Sequence, residues 1–200
     1  MTPADTTTRP RVEGDREQQI LDAALAVLGE VGYDRLTMDA VASRARASKA
    51  TLYRRWTNKL TLVIDALVAQ KATPEPADTG SLRGDLEAAY CGFGGLTDVE
   101  TVTRFTSVLT AIGRDPEFAH AYRTQVLGPK IDQTLRIFER ARARGELRDD
   151  IDITLIGPAL PGIVLHRFFM LGEAPTPELI DRVLDQIILP AATTSASVAG

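Results

Sequence analysis

One segment, Thr37–Lys59, restricts the possible folds of this chain more than any other feature. Its sequence, TMDAVASRARASKATLYRRWTNK, is typical of two short helices joined by a tight corner at residues 45–47. Thr37 and Ser48 are suited to cap the two helices, because their hydroxyl groups can accept from backbone N–H groups that a first helical turn leaves without partners. The pattern therefore predicts a helix-turn-helix.

The charges of this segment predict a surface that attracts a polyanion. Six basic residues and no acidic one lie between residues 40 and 64. Leu52 and Trp56 are four residues apart on the second helix and are expected to face inward. The residues left pointing outward are Lys49, Thr51 and Tyr53. Phosphate oxygens and base edges accept hydrogen bonds from such groups. The alternative is a small amphipathic hairpin whose charged face is merely solvated.

The stretch Ser48–Trp56, SKATLYRRW, together with the TNK that follows, resembles the DNA-binding signature of the tetracycline-repressor (TetR) family of bacterial regulators. The likeness extends over residues 16–68 of the chain.

The sequence departs from the family pattern at the turn, where the family has glycine and this chain has Arg46. A non-glycine residue at positive φ costs about 1 kcal/mol or more. Either the corner has a different geometry, or the arginine is tolerated there because it reaches a phosphate.

The resemblance implies a homodimeric, ligand-responsive regulator, most simply a repressor, that binds a near-palindromic operator in double-stranded DNA. It implies that Lys49, with Tyr53 in part, meets base edges, while Leu52 and Trp56 belong to the core. The side chains that it places on phosphates are Thr37, Ser48, Thr51, Tyr53, Arg55 and Lys59, and the further DNA-binding candidates are Arg46 and Arg54.

The wider sequence predicts an all-α chain with an N-terminal three-helix DNA-binding head and a C-terminal helical body. Its 200 residues, 44% of them hydrophobic, suffice for one or two units with a core. A first helix is expected from about Asp15 to Val31, ended by Gly32. The expected parts are a flexible tail at 1–13, the helix-turn-helix domain with its connecting helix at 14–72, the effector-binding and dimerisation domain at 81–190, and a flexible tail at 191–200. Two prolines and a glycine in Thr73–Gly80 mark the break.

The net charge supports this division into a DNA reader and a different module. The whole chain carries −4, yet residues 1–71 hold 11 basic and 9 acidic side chains, and the excess of acid lies entirely in the remainder. An acidic protein can therefore still present a local basic surface.

The sequence offers little for catalysis or metal binding. Cys91 is alone, and His120 and His166 have no partners at a convincing ligating spacing, so we expect no cofactor, metal site or enzymatic activity. No signal peptide is recognisable and no run approaches 18 apolar residues, which predicts a cytoplasmic protein without a membrane partner. The alternatives are a DNA binder without an effector and an all-helical enzyme that uses Cys91 or a histidine.

The middle helices contain the candidates for an effector pocket that the resemblance implies. They are Tyr90, Phe93, Phe105, Leu109, Phe118, Tyr122, His166, Phe169 and Met170. Such a lining predicts a mostly apolar small molecule with a polar handle, met by His166 or Tyr122. Aromatic residues at helical spacing are also common in cores, which is the alternative for each of them.

The last helix, which begins at residues 176–178, carries two neighbouring apolar stripes. They consist of Leu179, Val183 and Ile187 beside Ile180, Leu184 and Ile188. This width predicts a four-helix contact with a second copy of the chain, as in TetR-like dimers. The alternative is that these residues close the core of a single chain.

Overall fold

Helices account for all regular secondary structure in the parts of the chain that the computed structural model describes, namely residues 9–70, 78–91, 96–97 and 99–193. Side chains are described for 14–70, 78–91, 96–97 and 101–193. The predicted all-α class is confirmed. Of the sequence predictions, Phe93 and most of both tails lie outside the described residues. The helix α1 already begins at Arg9, inside the segment expected to be a flexible tail.

The chain divides into two units, and the division is not linear. The first unit is Met1–Ala72 with Arg104–Val126, and the second is Thr73–Thr103 with Leu127–Gly200. In chain order the helices are α1 (Arg9–Arg35), α2 (Met38–Arg44), α3 (Lys49–Arg55), α4 (Lys59–Gln70), α5 (Leu82–Cys91), α6 (Val99–Arg114), α7 (Pro116–Tyr122), α8 (Gly128–Ala143), α9 (Ile153–Ile156), α10 (Ala159–Leu171), α11 (Pro177–Val183) and α12 (Leu189–Ala192). The turns Arg123–Leu127 and Leu184–Ile188 are π-helical.

The first unit is built around α1, which packs against α2 and α4, while α2 packs against α3. Gly32 interrupts α1 with φ 75°, at the position where the sequence predicted the first helix to end. Leu28, Leu52 and Leu62 are completely buried in the shared core. The indole Nε1 of Trp56 donates to Asp65 Oδ2 at 2.8 Å, which fixes the end of α3 to α4.

The second unit covers most of the apolar surface of the last helix within the same chain. Five of the six residues predicted to contact a second copy are buried in the core of their own chain, where α11 packs against α5 and α10. They are Leu179, Ile180, Val183, Leu184 and Ile188. A partner cannot touch these side chains while this core remains packed, because their apolar surface is already covered. Only the sixth residue, Ile187, is exposed, at 44%.

Asp85, on α5, is a fully buried carboxylate that ties α5 to the end of α8. It accepts from the backbone N and the Oγ1 of Thr79, both at 2.7 Å, and it lies 3.2 Å from Arg144 Nη2 and 3.5 Å from Arg140 Nη2. Burial alone would raise the pKa of Asp85, but the hydrogen bonds from Thr79 and Arg144 outweigh it and hold the pKa below its usual value. The charged form therefore stabilises the folded unit.

The Asp85→Asn variant is expected to lose about 3 kcal/mol of unfolding free energy near neutral pH, because Arg144 loses its fully buried anionic partner. The lowered folded-state pKa means that the contribution of Asp85 is complete above the ordinary carboxylate pKa. It disappears as the pH falls through the lowered value. Urea unfolding from neutral to acidic pH measures both effects.

The matched control for this experiment is Asp78→Asn. Asp78 contacts Arg144 Nη1 at 3.3 Å from a largely exposed position, so its loss is expected to cost little. Equal stability and equal acid sensitivity of Asp85→Asn and the parent chain would contradict the assigned role of Asp85.

Candidate nucleic-acid interface

Both predicted helix caps of the helix-turn-helix are present. Thr37 accepts through its Oγ1 from the backbone N of Ala40 at 3.1 Å and begins α2. Ser48 accepts through its Oγ from the backbone N of Thr51 at 3.1 Å and begins α3. The hydroxyls of Ser48 and Thr51 also lie 2.8 Å apart, which brings two of the predicted phosphate-binding groups together. The caps set the start of each helix and therefore the side chains that each helix presents.

The corner between α2 and α3 has the left-handed conformation that glycine favours. Arg46 has φ 51° and is the one non-glycine residue with positive φ in the described parts of the chain. Its carbonyl oxygen accepts from Arg16 Nη2 at 2.6 Å, and Arg16 Nη1 donates to Gln19 Oε1 at 2.7 Å. The first alternative from the sequence, a corner of different geometry, is therefore wrong. A phosphate contact by Arg46 stays a prediction.

The outward face of α3 carries several of the side chains that the sequence assigned to DNA. Leu52 and Trp56 are buried as predicted, whereas Tyr53, Arg54 and Arg55 are exposed. Tyr53 is an aromatic ring with 53% of its surface in solvent, on the same helix as Lys49. α3 therefore presents an aromatic hydroxyl group and cationic donors to solvent, because these side chains are not packed into the core.

Acidic side chains accompany several of these cations. Lys49 Nζ lies 2.6 Å from Asp39 Oδ2, Arg55 Nη2 lies 3.2 Å from Glu17 Oε1, and Arg44 Nη1 lies 2.6 Å from Glu30 Oε1. The hydrogen bond to Asp39, followed by its charge, raises the pKa of Lys49. Exposed ion pairs contribute about 0–1 kcal/mol each, so phosphates can replace the carboxylates at small cost.

Sequence reasoning missed these acidic partners. Glu17 and Glu30 lie on α1, far from the basic segment in sequence, and Asp39 lies one residue before the acid-free stretch at 40–64. Arg16, which holds the corner carbonyl, was also missed. The packing of α1 against α2 and of α2 against α3 brings these groups together, so a count of charges along the segment does not detect them.

Lys59 has an additional role at the end of α1. Its Nζ donates to the carbonyl oxygens of Tyr33 at 3.0 Å and Asp34 at 3.3 Å, just after the interruption at Gly32. The same ammonium group lies 4.4 Å from the centre of the Tyr33 ring, a cation–π distance. An ammonium group has three donors, so one N–H is left for the predicted phosphate contact.

Aromatic contacts continue from Tyr33 through three of the predicted pocket residues. The ring centres are 4.5 Å apart for Tyr33 and Phe118, 6.3 Å for Phe118 and Tyr122, and 6.4 Å for Tyr122 and Phe105. Phe118 and Tyr122 are buried, and burial raises the pKa of Tyr122 to about 12. We call Tyr33, Phe118, Tyr122 and Phe105 the aromatic row.

The predicted pocket residues are divided between the two units of the chain. Phe105, Leu109, Phe118 and Tyr122 belong to the first unit, whereas Tyr90, His166, Phe169 and Met170 belong to the second. Leu109 and Met170 are exposed, and the Tyr90 hydroxyl lies 3.4 Å from Thr134 Oγ1. A cleft of about 330 Å³ in the first unit, next to Tyr33 and Arg114, is lined by none of the predicted residues. The effector pocket stays a prediction.

The described side chains contain no group of three or more histidine, cysteine, aspartate or glutamate residues that could hold a metal ion. Cys91 is partly buried, and burial, followed by the charges of Asp181 and Glu87, raises its pKa above the ordinary thiol value. A thiol in this state is a poor nucleophile at neutral pH, because the thiolate is the reactive form.

Comparison with known proteins agrees with this geometry over nearly the whole chain. Residues 20–66 match the family described as bacterial regulatory proteins, tetR family, and residues 76–187 match the tetracyclin repressor-like C-terminal domain. An uncharacterized HTH-type transcriptional regulator of Mycobacterium tuberculosis is 34% identical over 196 residues, covering 96% of this chain and 95% of the relative. A DNA-binding transcriptional repressor TetR of Mycobacteroides abscessus is 36% identical over 182 residues, covering 88% and 96%.

A solved structure has the same fold. The TetR transcriptional regulator from Agrobacterium tumefaciens superposes with a TM-score of 0.68 at 22% identity and covers 92% of this chain and 96% of that one.

The strained corner generates a prediction about stability. The Arg46→Gly variant is expected to be more stable than Arg46→Ala by about 1 kcal/mol, because only glycine adopts the left-handed conformation without steric cost. Both variants lack the arginine side chain, so the difference between them isolates the backbone. Urea unfolding measures it, and equal stability of the two variants would show that the corner stores no strain.

Proposed function

Because the chain belongs to the TetR family of bacterial transcriptional regulators, we propose that it is a repressor that holds a near-palindromic operator as a homodimer and is released by a small, mostly apolar effector. Proteins of this family are helix-turn-helix regulators and not enzymes. The relative from Mycobacteroides abscessus is named a repressor, which supports that direction of control. A protein that binds operator DNA in this way would work in the cytoplasm.

The observation that carries the proposal is the pair of capped helices α2 and α3, whose outer face holds donors while its inner face is buried. α3 has seven residues, about 10 Å at 1.5 Å per residue, and the major groove is about 12 Å wide. In this groove Lys49 and Tyr53 would reach base edges. Thr37, Arg54 and Arg55 would meet phosphates along its rim, and Arg55 would exchange its present carboxylate partner, Glu17, for a phosphate.

The dimer surface is proposed on exposed apolar residues of the second unit. The stretch Ile153–Leu171, which contains α9 and α10, is apolar along its length, yet few of its residues are buried. Leu155 is 73% and Met170 72% exposed, and Leu171 and Ile187 are exposed as well. Covering such surface by a second copy gains about 25 cal/mol per Å². This surface replaces the five buried residues of α11 and the turn that follows it.

A lipid bilayer is the competing explanation for the same stretch. Its 19 residues are long and apolar enough to cross a membrane by length and composition. Two features of the sequence and structure favour a protein partner. Residues 157–158 form a turn between α9 and α10, and Arg167 forms an ion pair with Glu173 at 2.6 Å near the end of α10.

Effector response is supported by the aromatic row. A molecule that displaces Phe105 or Tyr122 would press on Phe118 and Tyr33, and Tyr33 contacts Lys59 at the start of α4. α4 follows the DNA-reading helix directly, so a shift there alters the position of α3. The effector must bind the released state more tightly than the DNA-bound state for this to work. A DNA binder without an effector would share the head but keep the same operator affinity whatever small molecule is added.

The division of roles on α3 gives a prediction for DNA binding. Lys49→Ala is expected to lower operator affinity about 10- to 100-fold, toward that for unrelated DNA, because a base contact is lost. Arg54→Ala is expected to weaken both DNAs by the same factor and to reduce the slope of log affinity against log salt by about 0.9. Fluorescence anisotropy on fragments selected from the source genome, including the DNA upstream of the gene, measures both.

Equal losses on operator and unrelated DNA for both variants would refute the division between base and phosphate contacts. If the parent chain binds no double-stranded fragment at low ionic strength, the proposed function itself fails.

The dimer surface predicts that Met170→Glu and Leu155→Glu produce monomers, because a carboxylate would be buried against apolar residues of the second copy. Sedimentation velocity measures the mass. The control is Leu109→Glu, which places the same charge on an exposed leucine of the first unit and is expected to leave the dimer intact. A monomeric parent chain, or one that sediments with phosphatidylcholine vesicles, would contradict this assignment of the surface.

A further inference from the structure

In the DNA-binding head, one ion pair contains an acidic residue to which no function has been assigned. Asp39, on α2, and Lys49, on α3, lie with Oδ2 and Nζ 2.6 Å apart and with 58% and 66% of their side chains exposed. Asp39 belongs to none of the predicted DNA contacts. Its partner is the lysine assigned to base edges, so the carboxylate lies on the part of the surface that would enter the major groove.

The Asp39–Lys49 pair contributes little to the stability of the fold, and its carboxylate is expected to lower the affinity for DNA of any sequence. An exposed pair contributes about 0–1 kcal/mol to stability. A carboxylate on a DNA-facing surface repels phosphates and lowers affinity for every sequence. The two comparable pairs of the head, Arg44–Glu30 and Arg55–Glu17, take their acids from α1, whereas Asp39 lies on a helix of the DNA reader itself.

The chemistry of the pair matches one kind of base pair. In the major groove a G·C pair presents the guanine O6 and N7 acceptors beside the cytosine N4 donor. Lysine donates to the guanine atoms, and aspartate accepts from cytosine N4. Asp39 and Lys49 present an acceptor and a donor at hydrogen-bonding distance from each other, which is the complementary arrangement. In an A·T pair the adenine N6 donor stands in the place of guanine O6, and the thymine O4 acceptor stands in the place of cytosine N4, so that the ammonium group would face a donor and the carboxylate would face an acceptor.

We propose that Asp39 and Lys49 together read one G·C pair in each operator half-site, with Lys49 donating to guanine and Asp39 accepting from the N4 amino group of cytosine. The inference rests on the proposed function, because it requires α3 to enter the major groove. The ammonium group has three donors, so Lys49 can keep its bond to Asp39 while it donates to guanine. Asp39 thereby also orients a flexible lysine side chain and is a specificity-determining residue.

The experiment is selection of bound DNA from a library in which the recovered half-site is randomised, followed by affinity measurements on single substitutions. The parent chain is expected to select G·C at one position of each half-site, and replacing that pair with A·T is expected to cost about 5- to 150-fold in affinity.

Asp39→Ala is expected to reduce this discrimination several-fold at that position alone and to raise affinity for all DNA modestly. Lys49→Ala is expected to reduce discrimination at the same position, and the double variant is expected to lose less than the product of the two losses.

The matched control is Glu30→Ala, which also removes one exposed carboxylate paired to a basic residue of the head at 2.6 Å. It is expected to leave every base preference unchanged. Circular dichroism and urea unfolding of both alanine variants establish that the head remains folded.

Two results would overturn the inference in distinguishable ways. If Asp39→Ala keeps the full preference at every position and only raises affinity uniformly, as Glu30→Ala does, then Asp39 is a counter-ion and not a reader. If the parent chain enriches no sequence and binds no duplex, the proposed function fails, and the proposed recognition of a G·C pair by Asp39 and Lys49 fails with it.

Discussion

The burial of Leu52 and Trp56 is the interaction on which the DNA-reading surface depends. α3 has only seven residues, far below the length at which an isolated helix is stable in water, so its direction is set by packing and not by its own propensity. Leu52 is completely buried, and Trp56 adds a directed hydrogen bond from its indole to Asp65 on α4. These two side chains orient α3 relative to α2 and α4. Because Leu52 and Trp56 face inward, Lys49, Tyr53 and Arg54 lie on the exposed side of the helix.

If DNA binds this surface as proposed, its charges act by exchange of partners rather than by simple attraction. Lys49, Arg44 and Arg55 already have carboxylate partners in the free protein, and each pair is exposed enough that its loss costs little. Binding a phosphate therefore means replacing one singly charged anion, a carboxylate, with another. Such a surface is less attractive to DNA in general than its count of basic residues implies. Discrimination then depends more on the groups that meet base edges.

Local rules predicted the local features of this chain. The caps at Thr37 and Ser48, the inward face of α3 and the end of the first helix at Gly32 follow from residue types at fixed spacing, and the structure contains each of them. Features that depend on neighbours distant in sequence were not predictable in this way. The apolar stripes of the last helix were assigned to a second copy, yet α5 and α10 of the same chain cover most of them. Residues 104–126 join the N-terminal unit although a proline-rich segment separates them from it in sequence.

If Lys59 binds a phosphate as proposed, its single ammonium group links DNA affinity to the interior of the first unit. Two of its donors bind the Tyr33 and Asp34 carbonyls, and its charge lies over the Tyr33 ring, the first member of the aromatic row. A phosphate and the end of α1 would therefore share one cation. If Tyr33 moves, the direction of the remaining N–H changes, and the phosphate contact weakens even when the spacing of two heads is unaltered. An effector that acts on the aromatic row would then reduce the affinity of each head separately, in addition to any change in the geometry of the dimer.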